Sequence, residues 1–203
     1  ILALGSFFPG QEADVIEYQL TPVLYDLNCA RRLDSASRDA GKSIDYHLKV
    51  DTGMGRLGFR VDRLDEVLPV LKNLKSLNMS GVMSHLAVAD EPERPLTALQ
   101  CETFSAVVAR VEKAGFRPFY KHIANSAGIY SRARNGCNLV RPGISLYGGL
   151  TGGPFAHPLT QQPVMRFVSQ VAQLKEIPTG DGVSYGHRFV ATRPSRIAAI
   201  PVG

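Results

Sequence analysis

Short apolar runs alternate with segments of helical periodicity from the start of the chain to about residue 150. This alternation is typical of βα units around a parallel sheet. It predicts strands at 1–4, 21–25, 44–50, 77–83, 119–123 and 139–146, and helices at 27–40, 63–74 and 96–114. In the last helix, Phe104, Val107, Val108 and Val111 share one face and are expected to pack on the sheet. We therefore predict an α/β fold that contains part of a (β/α)8 barrel of the TIM type.

The pattern changes after the glycine-rich segment 148–154. Polar and apolar residues alternate over 165–177, a turn is predicted at 179–182, and another apolar run lies near Ile197. Alternation with one polar face favours antiparallel strands. We therefore predict a barrel domain at 1–158, followed at 159–203 by the beginning of an antiparallel β domain.

Composition excludes several classes of protein. In 203 residues no apolar run approaches the roughly 18 residues of a membrane-spanning helix. The net charge of +5 is scattered along the chain, which argues against a nucleic-acid interface. Three widely spaced cysteines argue against a disulfide framework and a zinc site and favour the cytoplasm. Both ends fall in apolar runs, so we expect the chain to be the middle of a longer polypeptide.

The third predicted strand carries Lys49 and leads into a glycine-containing turn that ends at Arg56. Gly53 and Gly55 would allow a tight turn that directs Arg56 inward, where its fork of donors suits a carboxylate or a phenolate. Lys49 at an inward barrel position would be buried and would need a partner. The alternatives are a glycine turn with a surface arginine and a strand-edge lysine that faces solvent.

Polar residues also follow the next strands. Ser84 and His85 end one predicted strand, and His122 lies in another, which runs into Asn125 and Ser126 before a predicted helix at 127–134. A lone histidine is more often structural than catalytic. Asn or Ser at a helix start is an ordinary N-cap, but the same position can hold a phosphate.

The last predicted strand of the barrel, at 139–146, is an apolar run that contains an arginine. Arg141 would be costly there without a fixed polar partner, and Gly143 would let backbone amides approach an anion. A phosphate site built from late barrel loops is common in this architecture. Tyr185 lies between glycines in the antiparallel region, where it is expected to be exposed on a turn, although packing is the usual role of such a tyrosine.

Five segments, taken together, resemble the alanine racemase family, whose members use pyridoxal 5′-phosphate (PLP) and join a barrel to a β domain. The segments are HLKVDTGMGRLG at 47–58, Ser84-His85 with Ala89-Asp90-Glu91, HIANSA at 122–127, VRPGISLYG at 140–148 and GVSYG at 182–186. They occur in the family's order with similar spacing. The resemblance implies interconversion of L- and D-alanine by two bases, which supplies D-alanine for peptidoglycan.

The resemblance also implies a role for each residue. Tyr185 corresponds to the catalytic tyrosine that takes the α-proton from L-alanine in the neighbouring subunit's site, which implies a homodimer. His85 corresponds to the histidine that links this tyrosine to Arg141, and Arg141 to the arginine that faces the pyridine nitrogen. Arg56 would contact the cofactor's phenolic oxygen and the substrate carboxylate. The other positions are a lysine carbamylated in many members (Lys49), the phosphate side (Asn125, Ser126, Gly143 and Ile144) and a histidine near the pyridine (His122).

One departure from the family concerns the Schiff-base lysine. The family places it on the first barrel strand in an Ala-Tyr-Gly-His-Gly-like context, which this sequence lacks. The remaining lysines considered lie in helix, loop or edge contexts: Lys42, Lys72, Lys75, Lys113, Lys121 and Lys175. The segment that carries the family's entry tyrosine would begin near Gly203. We therefore expect this polypeptide alone not to racemise alanine.

Three other interpretations remain open from the sequence. A PLP-dependent decarboxylase or a broad-specificity racemase could share the fold. A PLP-binding barrel without catalysis is a second alternative, although the antiparallel region that carries Tyr185 argues against it. The third is a scaffold or assembly piece without activity.

Overall fold

The structure is a computed structural model that describes residues 1–133, 136–149 and 161–202. The chain divides into two compact units, Ile1–Gln162 and Pro163–Gly203, called unit 1 and unit 2 below. The predicted boundary between residues 158 and 159 lies outside the described residues.

Unit 1 is built on a six-stranded sheet in which every pairing is parallel. Its strands are β1 (Leu2–Ala3), β2 (Thr21–Leu24), β3 (Ile44–Asp51), β4 (Phe59–Arg60), β5 (Leu77–Met83) and β6 (Tyr120–His122). The order is β1-β2-β3-β5-β6, and the short β4 pairs with β3. The helices are α1 (Glu12–Glu17), α2 (Leu27–Asp39), α3 (Leu64–Asn73), α4 (Leu96–Lys113) and α5 (Ser126–Tyr130), with 3-10 helices at Val61–Arg63 and Ile144–Tyr147. This βα sheet confirms the predicted partial α/β barrel.

Most predicted elements of unit 1 are confirmed, but the strand at 139–146 is wrong. The five earlier strands and the three long helices differ from their predicted bounds by at most one residue at each end. At 139–146 the described chain instead turns into the 3-10 helix Ile144–Tyr147. Pro142 has no N–H to give to a strand ladder, so continuous pairing through this segment is disfavoured. The predicted helix at 127–134 is shorter, and α1 was not predicted.

The central strand β3 is buried on both faces, and the two faces differ in chemistry. Tyr46, Leu48 and Val50 point into the hydrophobic core that α3 and α4 cover. His47 and Lys49 alternate with them along the strand and are also buried. From α4, Phe104, Val107 and Val111 are buried and Val108 packs against the core, as predicted. One face of β3 therefore packs into the hydrophobic core, while the other carries the buried polar residues His47 and Lys49.

Unit 2 contains two antiparallel strand pairs. β7 (Gln173–Ile177) pairs with β10 (Ser195–Ala199), and β8 (Gly182–Val183) pairs with β9 (Phe189–Val190). The predicted antiparallel pairing and the strand near Ile197 are confirmed. The alternation over 165–177 forms a strand only from Gln173 onward, because residues 165–172 have no continuous ladder partner in the described chain. No helix among the described residues of either unit has the length and apolarity to cross a membrane.

Candidate active site

A cavity of about 480 Å³ lies beyond the carboxyl ends of β5 and β6. Its wall includes six of the residues singled out from the sequence: His85, Asn125, Ser126, Arg141, Gly143 and Ile144. Parallel strands end at the same edge of a sheet, so residues that are distant in sequence converge there. A volume of this size is typical of sites that enclose a small organic ligand.

Arg141 is the most highly connected side chain of this wall. Its Nη2 donates to the backbone oxygens of Ser84 at 2.7 Å and Ile123 at 3.2 Å and lies 3.3 Å from Nδ1 of His85. Its Nη1 contacts Nδ1 of His122. Burial lowers the pKa of Arg141 to about 10, which still leaves the guanidinium charged near pH 7. The predicted fixed polar partners are therefore present.

Two more histidines share this environment. Nε2 of His122 lies 2.8 Å from Nδ1 of His47, and both rings are buried. Burial, followed by the charge of Arg141, lowers the pKa of His122 far below its usual range. Burial and then Arg141, Lys49 and Arg56 lower the pKa of the half-buried His85 to about 4. Burial also lowers the pKa of His47 to about 4, so all three imidazoles are neutral near pH 7.

The opposite side of the cavity is organised around Ser126. Its Oγ accepts hydrogen bonds from the amides of Gly143 at 2.9 Å and Ser145 at 3.3 Å, and it lies 3.1 Å from the Ser145 hydroxyl. Asn125 caps α5 by accepting from the Gly128 amide at 2.9 Å, and its Nδ2 donates to the backbone oxygen of Leu86 at 3.1 Å. Asn125 therefore has a structural role as the N-cap of α5. Ser126 accepts hydrogen bonds from the amides beside the cavity.

The turn after β3 is held by one carboxylate. Oδ1 of Asp51 accepts from the amides of Gly53 at 2.9 Å, Met54 at 2.8 Å and Gly55 at 3.1 Å. A Cβ at Gly58 would lie 2.5 Å from the Asp51 nitrogen, so only glycine allows the chain to return this closely. The turn ends at Arg56, which is exposed and is not part of the cavity wall, so the structure shows the surface arginine of the alternative and not the predicted inward orientation.

Lys49 is buried, with 6% of its surface exposed, so it does not face solvent as the alternative required. Burial and then the charges of Arg141 and Arg56 lower the pKa of its amine. Within the described residues its side chain makes no hydrogen bond or ion pair. Lys49 is therefore a buried amine without a bonded anion, placed near two arginines.

Tyr185 belongs to unit 2 and is 97% exposed, as predicted. It begins the 3-10 helix Tyr185–His187. The preceding Ser184 has φ 60° and ψ −166°, a conformation nearly confined to glycine. The backbone therefore holds this phenol outward at a cost in strain, which is common where a side chain has a function.

Two family models match the chain. The alanine racemase N-terminal domain matches residues 1–151, and the alanine racemase C-terminal domain matches residues 164–203. The chain belongs to the alanine racemase family. It is 44% identical to an alanine racemase of Geobacter sp. (strain M21) and 41% identical to that of Geobacter sulfurreducens, and it covers 55% and 54% of them. The chain spans about half the length of these relatives.

Solved alanine racemases have the same fold. The enzyme from D-cycloserine producing Streptomyces lavendulae superposes with a TM-score of 0.84 at 31% identity, over 97% of this chain and 53% of that one. The enzyme from Bartonella henselae, solved with covalently bound pyridoxal phosphate, gives a TM-score of 0.78 at 27% identity, over all of this chain and 55% of that one.

Two buried residues near this cavity were not assigned a role from the sequence. His47 lies two positions before Lys49 and therefore shares its strand face, which was the available signal. Gln100 is fully buried on α4, where it accepts from the Ala87 amide at 2.9 Å and donates to the His85 backbone oxygen at 2.9 Å. Gln100 holds the loop that carries His85. Its signal was a polar residue at helical spacing with the buried Phe104 and Val107.

Proposed function

We propose that this chain forms the cofactor-facing part of an alanine racemase that interconverts L- and D-alanine with PLP. The observation that carries this proposal is the convergence of His85, Ser126 and Arg141 on one cavity of about 480 Å³. Membership of the alanine racemase family supports it. The product would be D-alanine, a component of peptidoglycan, and three free cysteines, two of them buried, are compatible with a cytoplasmic enzyme.

The donors around the cavity fit PLP. One wall presents the charged, donor-only guanidinium of Arg141, which suits an acceptor nitrogen in an aromatic ring. The other wall holds Ser126, whose hydroxyl accepts from the amides of Gly143 and Ser145, and such a concentration of N–H and O–H groups suits phosphate oxygens. When bound, PLP withdraws electrons from the α-carbon of an amino acid and so acidifies its α-hydrogen. Asn125, Ser126, Gly143 and Ile144 would hold the phosphate side, and Arg141 with His122 behind it the ring nitrogen.

Arg141 determines how much of the reaction depends on the protein's own bases. A guanidinium with a pKa of about 10 donates a hydrogen bond at neutral pH and keeps its proton. Arg141 would therefore leave the ring nitrogen of the cofactor unprotonated, and the cofactor would withdraw electrons less strongly than it would with a carboxylate in the place of Arg141. We infer that racemisation here relies on well-positioned bases, which suits an enzyme that must avoid side reactions of the cofactor.

We propose that Tyr185 is the base that takes the α-proton from L-alanine, in the site of a neighbouring copy within a homodimer. Its exposure and the strained backbone at Ser184 support this role. His85 would hydrogen-bond the phenol while its Nδ1 faces Arg141. Arg56, whose charge lowers the pKa of both His85 and Lys49, would bind the substrate carboxylate and the phenolic oxygen of the cofactor.

We propose that Lys49 is carbamylated. Its lowered pKa increases the fraction of neutral amine, which can add to CO₂ with loss of one proton to give a carbamate. That anion would replace a buried cation and offer oxygens to Arg56. Equilibration with ¹³C-bicarbonate should give a carbamate carbon signal that disappears in Lys49→Ala and persists in Lys42→Ala. Retention of the signal in Lys49→Ala would exclude this site.

The function is tested in a hybrid enzyme, in which these 203 residues replace the matching segment of the Geobacter sulfurreducens alanine racemase. The hybrid is expected to bind PLP and to convert L-alanine to D-alanine in preference to other amino acids. The chain assayed by itself is expected to be inactive, because it contains no lysine in the family's first-strand context. A hybrid that folds and binds PLP but releases CO₂ from an amino acid, or has no activity, would refute the proposal.

A further inference from the structure

The wall of the cavity is supported from behind by a pair of buried histidines on non-adjacent strands. His47 is on β3 and His122 on β6, and β5 lies between these two strands. Their rings nevertheless meet, with Nδ1 of His47 2.8 Å from Nε2 of His122. His122 in turn contacts Arg141, so a chain of side chains leads from β3 across β5 to the cavity.

Gly81 on β5 makes this crossing possible. It is paired in register with His47 on one side and with Tyr120 on the other. A Cβ at Gly81 would lie 2.6 Å from Nε2 of His47, so the imidazole occupies the space that any other side chain would need. The contact between the two histidines therefore depends on Gly81. The backbone conformation at this position would allow other residues, so it is the His47 ring that requires a glycine here.

The proton positions in this chain of side chains follow from the donors. A guanidinium only donates, so Nδ1 of His122 must accept from Arg141. Burial lowers the pKa of His122 far below neutrality, and a neutral imidazole with an accepting Nδ1 carries its proton on Nε2. That N–H then donates to Nδ1 of His47, whose own pKa burial lowers to about 4, although the nearby Asp45 opposes the shift.

We propose that His47 is a positioning residue that fixes the tautomer of His122 and thereby holds Arg141 against the cavity. If Nε2 of His122 lost its acceptor, the proton could move to Nδ1 and would then face the Arg141 guanidinium, which has no lone pair to receive it. Arg141 would lose one of its anchors and turn away. The structural part of this inference stands on the contacts alone, and its effect on the reaction rate rests on the proposed function.

Imidazole ¹⁵N spectra of the full chain test the tautomer directly. His122 is expected to be protonated at Nε2, with an accepting Nδ1. In His47→Leu this signature should weaken or become a mixture of tautomers, and Gly81→Ala, which displaces the His47 ring, should reproduce the change. His47→Gln keeps an accepting oxygen and should preserve the signature. Leu48→Met, on the opposite face of β3, is the matched control and should leave it unchanged. Protonation of His122 at Nδ1, or an unchanged His122 in His47→Leu, would overturn the proposal.

Rates in the hybrid enzyme separate positioning from folding. His47→Leu should lower kcat about three- to tenfold with little change in the KM for alanine, as for the loss of one hydrogen bond that orients a charged group. His47→Gln should restore most of the rate. Equal loss in both variants would overturn the positioning role. A hybrid that fails to racemise alanine while His122 keeps the expected tautomer would refute the proposed function and leave the proton assignment standing.

Discussion

The two units of this chain differ in how they hold polar side chains. In unit 1, His47, His122 and Gln100 are buried, and each is tied by hydrogen bonds to other strands or loops. Among the described residues of unit 2, only Ile177 and Ala191 are buried. Its candidate functional residue, Tyr185, is almost fully exposed.

This contrast indicates that the proposed functional residues of the two units are oriented in different ways. Arg141 and His85 are oriented before any ligand binds, because partners inside unit 1 fix their atoms. Within the residues that the structure describes, Tyr185 has no side-chain partner and is oriented by its backbone, through the strained Ser184 and the 3-10 helix. Substitutions in unit 1 should therefore change both stability and chemistry, while Tyr185 can be changed at little cost in stability.

The largest expected effect tests that last statement. In the hybrid enzyme, Tyr185→Phe removes the only oxygen of the side chain and should slow the loss of the α-hydrogen from L-alanine about 10³-fold. Exchange from D-alanine should slow less, because the second of the two bases that the family resemblance implies would remove that hydrogen, and thermal stability should be unchanged. Deuterium exchange followed by NMR measures both directions.

Tyr18→Phe is the matched control, because Tyr18 is an exposed tyrosine of unit 1. It should leave both exchange rates unaltered. Equal losses from L- and D-alanine in Tyr185→Phe would contradict a directional role for this phenol.

The second prediction compares a buried and an exposed glutamine. Gln100→Leu leaves the Ala87 amide and the His85 oxygen without their partner, which should lower the free energy of unfolding by about 2–3 kcal/mol. Gln170 is exposed in unit 2, and Gln170→Leu should change the free energy of unfolding by less than about 0.5 kcal/mol. Urea unfolding followed by circular dichroism measures both values. Similar losses in the two variants would show that the described contacts of Gln100 contribute little.

The fold of unit 1 was predictable because its signals are local. In β3 and α4 the apolar residues recur at strand and helix spacing, which predicts the two elements. The same apolar residues are buried in the hydrophobic core of the structure. The wrong prediction of a strand at 139–146 has a local cause as well. The apolar pattern continues through Pro142 and Gly143, but proline has no N–H for a strand ladder and disfavours continuous pairing there. In unit 2, residues 165–172 alternate as in a strand but have no strand partner in the described chain. Alternation in the sequence does not show whether a partner strand is present.

The site was only partly predictable for a different reason. His85 could be named because it follows the end of β5, where the topology of a parallel sheet gathers polar residues at one edge, and Arg141 because a charged side chain inside an apolar run needs a polar partner. His47 and Gln100 act through contacts across the sheet and between a helix and a loop, and those contacts depend on the register of β3 with β5 and on the rotation of α4. The role of Gly81 is the clearest case, because only the three-dimensional position of the His47 ring explains it.

The third and smallest effect is the share that a single buried histidine has in the pH dependence of the stability of unit 1. Burial lowers the pKa of His47 and of His85 from 6.5 to about 4 and that of His122 further. Between pH 6.5 and about 4 the unfolded chain binds protons that the folded chain excludes, so lowering the pH favours unfolding. Stability from this source is complete above pH 6.5 and is lost as the pH falls toward 4. Each histidine should contribute a slope of at most about 1.4 kcal/mol per pH unit.

Urea unfolding at intervals between pH 7 and pH 5 measures this slope, above the range in which ordinary carboxylates titrate. His47→Gln removes one of the three buried imidazoles, so the free energy of unfolding should fall less steeply as the pH is lowered. His85 and His122 remain, so stability should still decrease toward low pH. A slope that is unchanged in His47→Gln would mean that His47 binds its proton over the same pH range in the folded and in the unfolded chain. A protonated His47 could not accept from His122 through Nδ1, so the same measurement also bears on the proton order that links β3 to Arg141.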